Sequence, residues 1–190
     1  SSKKGRGTAY VTFDRHREGD WSPYVFRTDD YGQTWQDLSD DLPSGSINVI
    51  LEHPDNPNVL FLGTEHAVFI SMNSGNDWVE FNSNLPTTLY DDMVIHPREK
   101  DLVLGTHGRS FWVLDDTAPL AEWSESLDNP VHIYSIRPTT LFHYWKDTSY
   151  RGQEEWTGPN PDYGAIINFI VNSNEGQAFI EIKRRNKTIR

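Results

Sequence analysis

The residues best equipped for chemistry fall in three short segments. Residues 14–23 gather Arg15, His16, Arg17, Glu18, Asp20 and Trp21. An indole beside charged groups suits a sugar ring, with stacking on its face and hydrogen bonds to its hydroxyls. The commoner alternative is a solvated loop whose Trp packs on a neighbouring element. Leu62-Gly63-Thr64-Glu65-His66 and Leu104-Gly105-Thr106-His107-Gly108-Arg109 are two versions of one further loop. Read without gaps, His107 and Arg109 stand where the earlier version has Glu65 and Ala67. A guanidinium there reads as a binder of carboxylates or sugar hydroxyls, with His107 beside it. The alternative is an ion pair from Arg109 to Asp115, Asp116 or Glu65. Trp21, Glu65, His66, His107 and Arg109 are therefore the candidate ligand-binding residues.

Other chemistries find less support. Glu65, His66, Asp91 and His107 are metal-ligating types, but they lack the tight spacing of metal motifs, so no metal or other cofactor is expected. Glycoside hydrolysis needs two carboxylates about 5–9.5 Å apart. Asp40, Asp41, Glu65, Asp91 and Asp92 qualify by type, and their spacing does not say which converge, so catalytic residues stay unassigned. The arginine triad and tyrosine nucleophile of a sialidase, a serine-hydrolase elbow, a P-loop and a dinucleotide fingerprint are not seen. There is no cysteine, which removes disulfides, thiolate nucleophiles and Cys-based zinc sites. A net charge of −11 opposes binding to a phosphate backbone. The basic end, residues 183–190, reads as a charged strand end. No apolar run approaches the roughly 20 residues that span a bilayer, and no apolar stretch follows Ser1-Ser2-Lys3-Lys4 to make a signal peptide.

What must position these residues is a repeat. Gly32, Trp35, Leu42-Pro43 and His53-Pro54 recur 43 residues later as Gly75, Trp78, Leu85-Pro86 and His96-Pro97. A third, incomplete copy follows, with Leu62-Gly63-Thr64 matched by Leu104-Gly105-Thr106 and Val68-Phe69-Ile70 by Ser110-Phe111-Trp112. Within the second copy the apolar runs 47–51, 59–62, 67–71 and 78–81 are short and separated by Pro, Gly, Asn and Asp, which is strand-and-turn chemistry. Four short strands per repeat of this length form a β-propeller blade. Thr28, Asp30, Gly32 and Trp35, repeated as Ser71, Asn73, Gly75 and Trp78, build one turn. The hydroxyl and the carboxylate or amide accept backbone N–H groups, the glycine supplies positive φ, and the Trp packs between blades. Helical pattern is confined to residues 118–127.

The string Ser/Thr-x-Asp-x-Gly-x-x-Trp at Thr28–Trp35, with Asn73 replacing Asp in the next copy, resembles the Asp-box, or BNR repeat, of sialidases, xyloglucanase-type glycosidases and the sortilin propeller. Residues 104–116 are similar to the closing blade of bacterial exported, sortilin-like "glycosyl hydrolase, BNR repeat" proteins. The resemblance implies a fold more than an activity, because the Asp-box is structural and most members have no assigned reaction. It also implies an extracellular or periplasmic location.

The expectation is an all-β chain: a partial β-propeller of two to three four-stranded blades over residues 1–145, a linker over 146–163, and the start of a β-sandwich, Ig-like by the resemblance, over 164–190. Two to three blades cannot close a ring, so the chain reads as a fragment whose partners include the remaining blades. Residues 131–134 and 140–144 would finish the last blade, and residues 165–171 and 177–183 would pair as a hairpin. Function reads as a protein- or glycan-binding scaffold. A glycoside hydrolase with its carboxylate pair on the loop-rich face and a purely structural fragment are the alternatives.

Overall fold

The computed structural model describes residues 2, 5–141, 163–173, 179–185 and 187–188. Three antiparallel sheets follow one another along the chain. The first holds β1 (Ala9–Thr12), β2 (Val25–Thr28) and β3 (Gln36–Asp37). The second holds β4 (Ile47–Glu52), β5 (Leu60–Thr64), β6 (Val68–Ser71) and β7 (Val79–Glu80). The third holds β8 (Tyr90–Ile95), β9 (Leu102–Thr106) and β10 (Phe111–Leu114). In each, strands adjacent in sequence are adjacent in space. This is the all-β, partial propeller that the repeat predicts, with all four strands present in the middle sheet. The 43-residue period extends to irregularities, since the β4–β5 ladder slips between Ile47 and Val49 and the β8–β9 ladder between Tyr90 and Asp92.

Two apolar layers join the sheets. Val25, Leu38 and Leu42 of the first copy pack against Ile47, Leu60, Leu62, Phe69 and Trp78 of the second. Val59, Phe61, Val68 and Ile70 from the other side of that sheet pack against Tyr90, Met93, Ile95, Leu102 and Leu104 of the third. The middle sheet is thus apolar on both faces, which explains its unbroken burial along β5 and β6.

The repeated turn is built as its residue types require. Thr28 Oγ1 accepts the N–H groups of Asp30 (3.3 Å) and Gly32 (2.9 Å) and donates to Asp30 Oδ1 at 2.8 Å. Asp30 in turn accepts the Thr34 N–H at 2.9 Å and the Thr34 hydroxyl at 2.6 Å. In the next copy Ser71 Oγ accepts from Asn73 and Gly75, and Asn73 Oδ1 accepts the Asp77 N–H. The amide that replaces the second carboxylate oxygen finds its own acceptor, Asp77 Oδ2 at 2.6 Å. Gly32 and Gly75 have φ of 87° and 91°. A Cβ on Gly75 would also lie 2.7 Å from Leu38 Cδ1, so the turn touches the preceding copy.

These bonds hold the Asp30 carboxyl at about 2, chiefly through the Thr34 hydroxyl and then the Thr34 N–H. Its folded value is depressed below the unfolded one. The stability it contributes is therefore complete above about pH 4 and lost as pH falls toward about 2. Asp30→Asn, which reproduces the Asn73 arrangement, should flatten the acid limb of the melting profile in that window. An unchanged acid limb would show that the turn does not depend on the charge.

Four expectations are corrected. Trp35 is 46% exposed whereas Trp78 is 7% exposed. Trp78 reaches back onto the sheet before it, and its Nε1 donates to Leu38 O at 2.8 Å. No sheet stands behind β1–β3 among the described residues, so the Trp35 indole has nothing comparable to cover it. Second, the ungapped match of Ala67 with Arg109 fails. Thr64 N–H and hydroxyl both bond Ala67 O, while those of Thr106 bond Ser110 O, so Ser110 stands at the Ala67 position. The third copy's loop is one residue longer, and Gly108 (φ 76°) and Ser110 (φ 65°) absorb the extra length.

Third, residues 131–133 do not complete the last sheet. Ala118–Ala121 (α1) and Trp123–Leu127 (α2) fill the helical segment. The strand Val131–Ile133 (β11) then pairs with Phe169–Val171 (β12). Polar bonds to α2 hold it there, with the buried Tyr134 hydroxyl donating to Ser126 Oγ at 3.1 Å and Asn172 Nδ2 to Ser126 O and Asn129 O at 2.7 Å each. Residues 140–141 are not in a strand, and 142–144 lie outside the described residues, as does most of the expected linker. Fourth, β12 pairs with β11 in place of the expected run 177–183. Of the described residues of that run, Lys183 alone is in a strand, in the short pair Lys183–Arg184 (β13) and Lys187–Thr188 (β14). The turn expected at 172–176 lies mostly outside the described residues.

Candidate functional site

The antiparallel order sorts the connections to two edges of the sheets. The β4–β5 and β6–β7 turns share one edge. The β5–β6 loop and the links between sheets share the other, as do the β1–β2 and β9–β10 loops. Trp21, Glu65, His66, His107 and Arg109 all fall on this second edge.

The first loop staples itself. Arg15 pairs with Glu18 and, at 3.1 Å, with Asp20 across a 3₁₀ turn at His16–Glu18. His16 Nδ1 lies 2.6 Å from Asp14 Oδ1. The Asp14 carboxyl lies below the usual carboxylate range mainly because it accepts the His16 N–H. Asp20 is lowered by the Ser22 N–H and the Tyr24 hydroxyl. The Trp21 carbonyl accepts the Gly45 N–H at 2.7 Å and the Ser44 hydroxyl at 3.0 Å. The backbone is thereby pinned while the indole stays 47% exposed, with the His16 ring 6.1 Å away.

The same link meets Glu65. Glu65 Oε1 accepts the Ser46 N–H at 3.2 Å, and Glu65 N–H donates to Ser46 O. The Glu65 side chain is largely buried, and His66 Nε2 lies 3.7 Å from its Oε1 with most of the imidazole in solvent. Beyond His66 a cavity of about 30 Å³, lined by Phe81, Leu85, Pro86, Thr87 and Tyr90, separates it from the next loop. Burial pushes the Tyr90 phenol up, and its hydroxyl donates to Pro86 O at 2.7 Å. His107 is fixed by its N–H to Leu89 O at 2.9 Å and lies 3.7 Å from Asp91 Oδ2, with its ring mostly exposed. Arg109 is exposed, and its guanidinium makes no ion pair among the described residues. Its carbonyl accepts the Trp112 indole N–H at 3.1 Å.

The five residues thus form a row along one edge, in which Glu65 and His66 touch each other. Glu65–His66 and Asp91–His107 are separate pairs. Among the described residues no three His, Asp or Glu side chains converge as a metal set. His53 and His96, on the opposite edge, serve their turns. Each Nδ1 accepts a backbone N–H at 3.1 Å, from Asp55 and from Glu99.

One polar cluster has no signal in residue spacing. Tyr10 of β1 donates to Glu52 of β4 at 3.3 Å, and the Arg27 guanidinium sits 6.0 Å from the Tyr10 ring. A cleft of about 230 Å³ opens beside them, lined by Ile50, Leu51, Pro54, Val94 and Ile95. Burial and then the Glu52 charge push the Tyr10 phenol up to about 12. A phenol held neutral in this way is a donor and not a nucleophile. Tyr10 and Glu52 belong to different sheets, so only the packing of β1 on β4 brings them together.

Among the described residues no helix is long and apolar enough to cross a membrane. No curated protein matches the chain. The family model called Sortilin-Vps10, described as sortilin, neurotensin receptor 3, matches residues 23–157, which include the second and third sheets and the greater part of the first. The matched span carries the repeated turns, both apolar layers and four of the five edge residues, and the chain belongs to the Sortilin-Vps10 family of β-propeller proteins.

Proposed function

We propose that the chain is a non-catalytic binding scaffold that offers the loop edge bearing Trp21, Glu65, His66, His107 and Arg109 to a protein or glycan ligand outside the cytoplasm. The observation that carries the reading is the state of Arg109: an exposed guanidinium with no ion pair among the described residues, on a loop one residue longer than its counterpart. None of the described residues pairs with this group, which supports a role in recognition of carboxylates or hydroxyls. Trp21 adds a half-exposed indole on a pinned backbone, a low-entropy contact surface. The family description names a receptor, which agrees with binding in place of turnover.

The test is a printed glycan array and a displayed random-peptide library, screened with the chain and with Arg109→Ala and Trp21→Ala. Each variant should melt like the parent, because neither side chain is buried. Each should weaken binding of the selected glycan or peptide by about tenfold or more. Binding unaffected by both substitutions would overturn the assignment of this edge. A large fall in melting temperature for Arg109→Ala would restore the ion-pair reading.

A further inference from the structure

The loop joining β1 to β2 carries two arginines, and the fold engages only one of them in ion pairs. Arg15 pairs with Glu18 and Asp20, and its guanidinium lies 5.9 Å from the centre of the Tyr24 ring. Arg17 is exposed and makes no hydrogen bond or ion pair among the described residues. Its charge is a minor influence in lowering the Asp14 carboxyl. The carboxylates of the loop are each engaged: Asp14 by His16, Glu18 by Arg15, and Asp20 by Arg15, the Ser22 N–H and the Tyr24 hydroxyl. What the loop leaves open is one guanidinium and, four residues on, the half-exposed Trp21 indole. The Trp21 carbonyl is held by Ser44 and Gly45, in the link between the first and second sheets, both of which are described. Glu65 in turn accepts the N–H of Ser46 in that link, so the indole stands on a fixed support.

We propose that this loop is a subsite for an acidic sugar, in which the Trp21 indole stacks on a pyranose ring and Arg17 pairs with the carboxylate of that ring or the next, as in a uronic-acid polysaccharide. The inference rests on the reading of the loop edge as a binding surface and names its ligand class. Chemistry selects a uronate over an acidic peptide. A sugar ring presents C–H groups to an aromatic face, and a uronate carries its carboxylate at the edge of that ring, so one rigid unit engages both open groups. An extended peptide needs a row of backbone donors and acceptors. The N–H groups of His16, Glu18, Gly19, Asp20 and Ser22 all bond within the loop and offer no such row. The charge of −11 opposes an anion at long range. That repulsion is screened beyond about 8 Å at physiological ionic strength, and each carboxylate of the loop already faces a donor of its own.

Isothermal titration calorimetry of the 190-residue chain with oligoglucuronate, oligogalacturonate and oligomannuronate, and with the carboxyl-reduced form of each, tests the proposal. At least one uronate should bind, and its carboxyl-reduced form should bind about fivefold or more weakly. Arg17→Gln should remove that preference while sparing the binding of the reduced form, and Arg17→Lys should restore part of it. Trp21→Ala should weaken both forms by about tenfold, and Trp21→Phe should recover most of the loss. Neither side chain is buried, so the melting temperature should hold in all four variants. Absence of uronate binding, equal binding of the two forms, or a preference that survives Arg17→Gln would overturn the proposal. So would an oligo-aspartate peptide that binds as tightly and loses affinity on Arg17→Gln. In each of those cases, Trp21-dependent binding of a neutral glycan or a peptide keeps the loop edge as a binding surface, whereas both readings fall if no ligand responds to Trp21→Ala.

Discussion

Trp78→Ala should lower the free energy of unfolding by about 3–5 kcal/mol, the range for truncating a buried Trp, whereas Trp35→Ala should cost about 1 kcal/mol or less. The two residues occupy the same position of the repeat, immediately before the same short strand. Trp78 is 7% exposed, packs with Leu38, Leu60, Leu62 and Phe69, and donates its indole N–H to Leu38 O. Its removal opens a cavity between two sheets and leaves that carbonyl without its donor. Trp35 is 46% exposed and makes no comparable contact. Urea unfolding of both variants reads the difference directly. Equal losses would mean that the two layers of the fold are not organised as described.

A second pair of equivalent residues should separate in the same way. His53→Ala is expected to cost about 2–4 kcal/mol, from a cavity and lost buried hydrogen bonds, and His96→Ala under about 1 kcal/mol. Both rings accept a backbone N–H at Nδ1. His53 is fully buried and also contacts Thr117, with Nε2 3.0 Å from Oγ1. The Thr117 hydroxyl donates to Lys100 O at 2.7 Å, so Oγ1 is the acceptor and His53 carries its proton on Nε2. The chain after the third sheet is thereby tied to the second. His96 is exposed and, among the described residues, its ring makes no hydrogen bond beyond its own turn. Thermal melts of the two variants give the comparison, and a His96→Ala loss as large as that of His53→Ala would remove this tie from the account.

Local chemistry was legible wherever it closes within a few residues. The hydroxyl, acid and glycine of Thr28, Asp30 and Gly32 satisfy backbone groups of their own turn, and Asn73 does the same once Asp77 accepts its amide. The 43-residue register fixed the order of strands, because short apolar runs joined by turns can only fold back on their neighbours. It also placed the five candidate residues on one edge, since strand alternation dictates which loops share a side.

Burial and register between distant segments were decided only by tertiary structure. Trp35 and Trp78 hold the same position in the repeated turn and differ in having a sheet behind them among the described residues. The Arg109 position depended on a one-residue loop insertion, which becomes visible only when Ser110 O is seen to take the Thr106 bonds that Ala67 O takes from Thr64. The run 131–133 has the composition of a strand for any sheet, and its partner was chosen by the Tyr134 and Asn172 bonds to α2. The Tyr10–Glu52 pair spans two sheets and has no local signature. The amino-acid sequence by itself therefore determined the repeat, the turns and the edge that carries the candidate site. Which members of each repeated set are buried, and which distant strands pair, followed from contacts between segments that no local pattern encodes, because burial is a property of what stands opposite a residue and not of the residue alone.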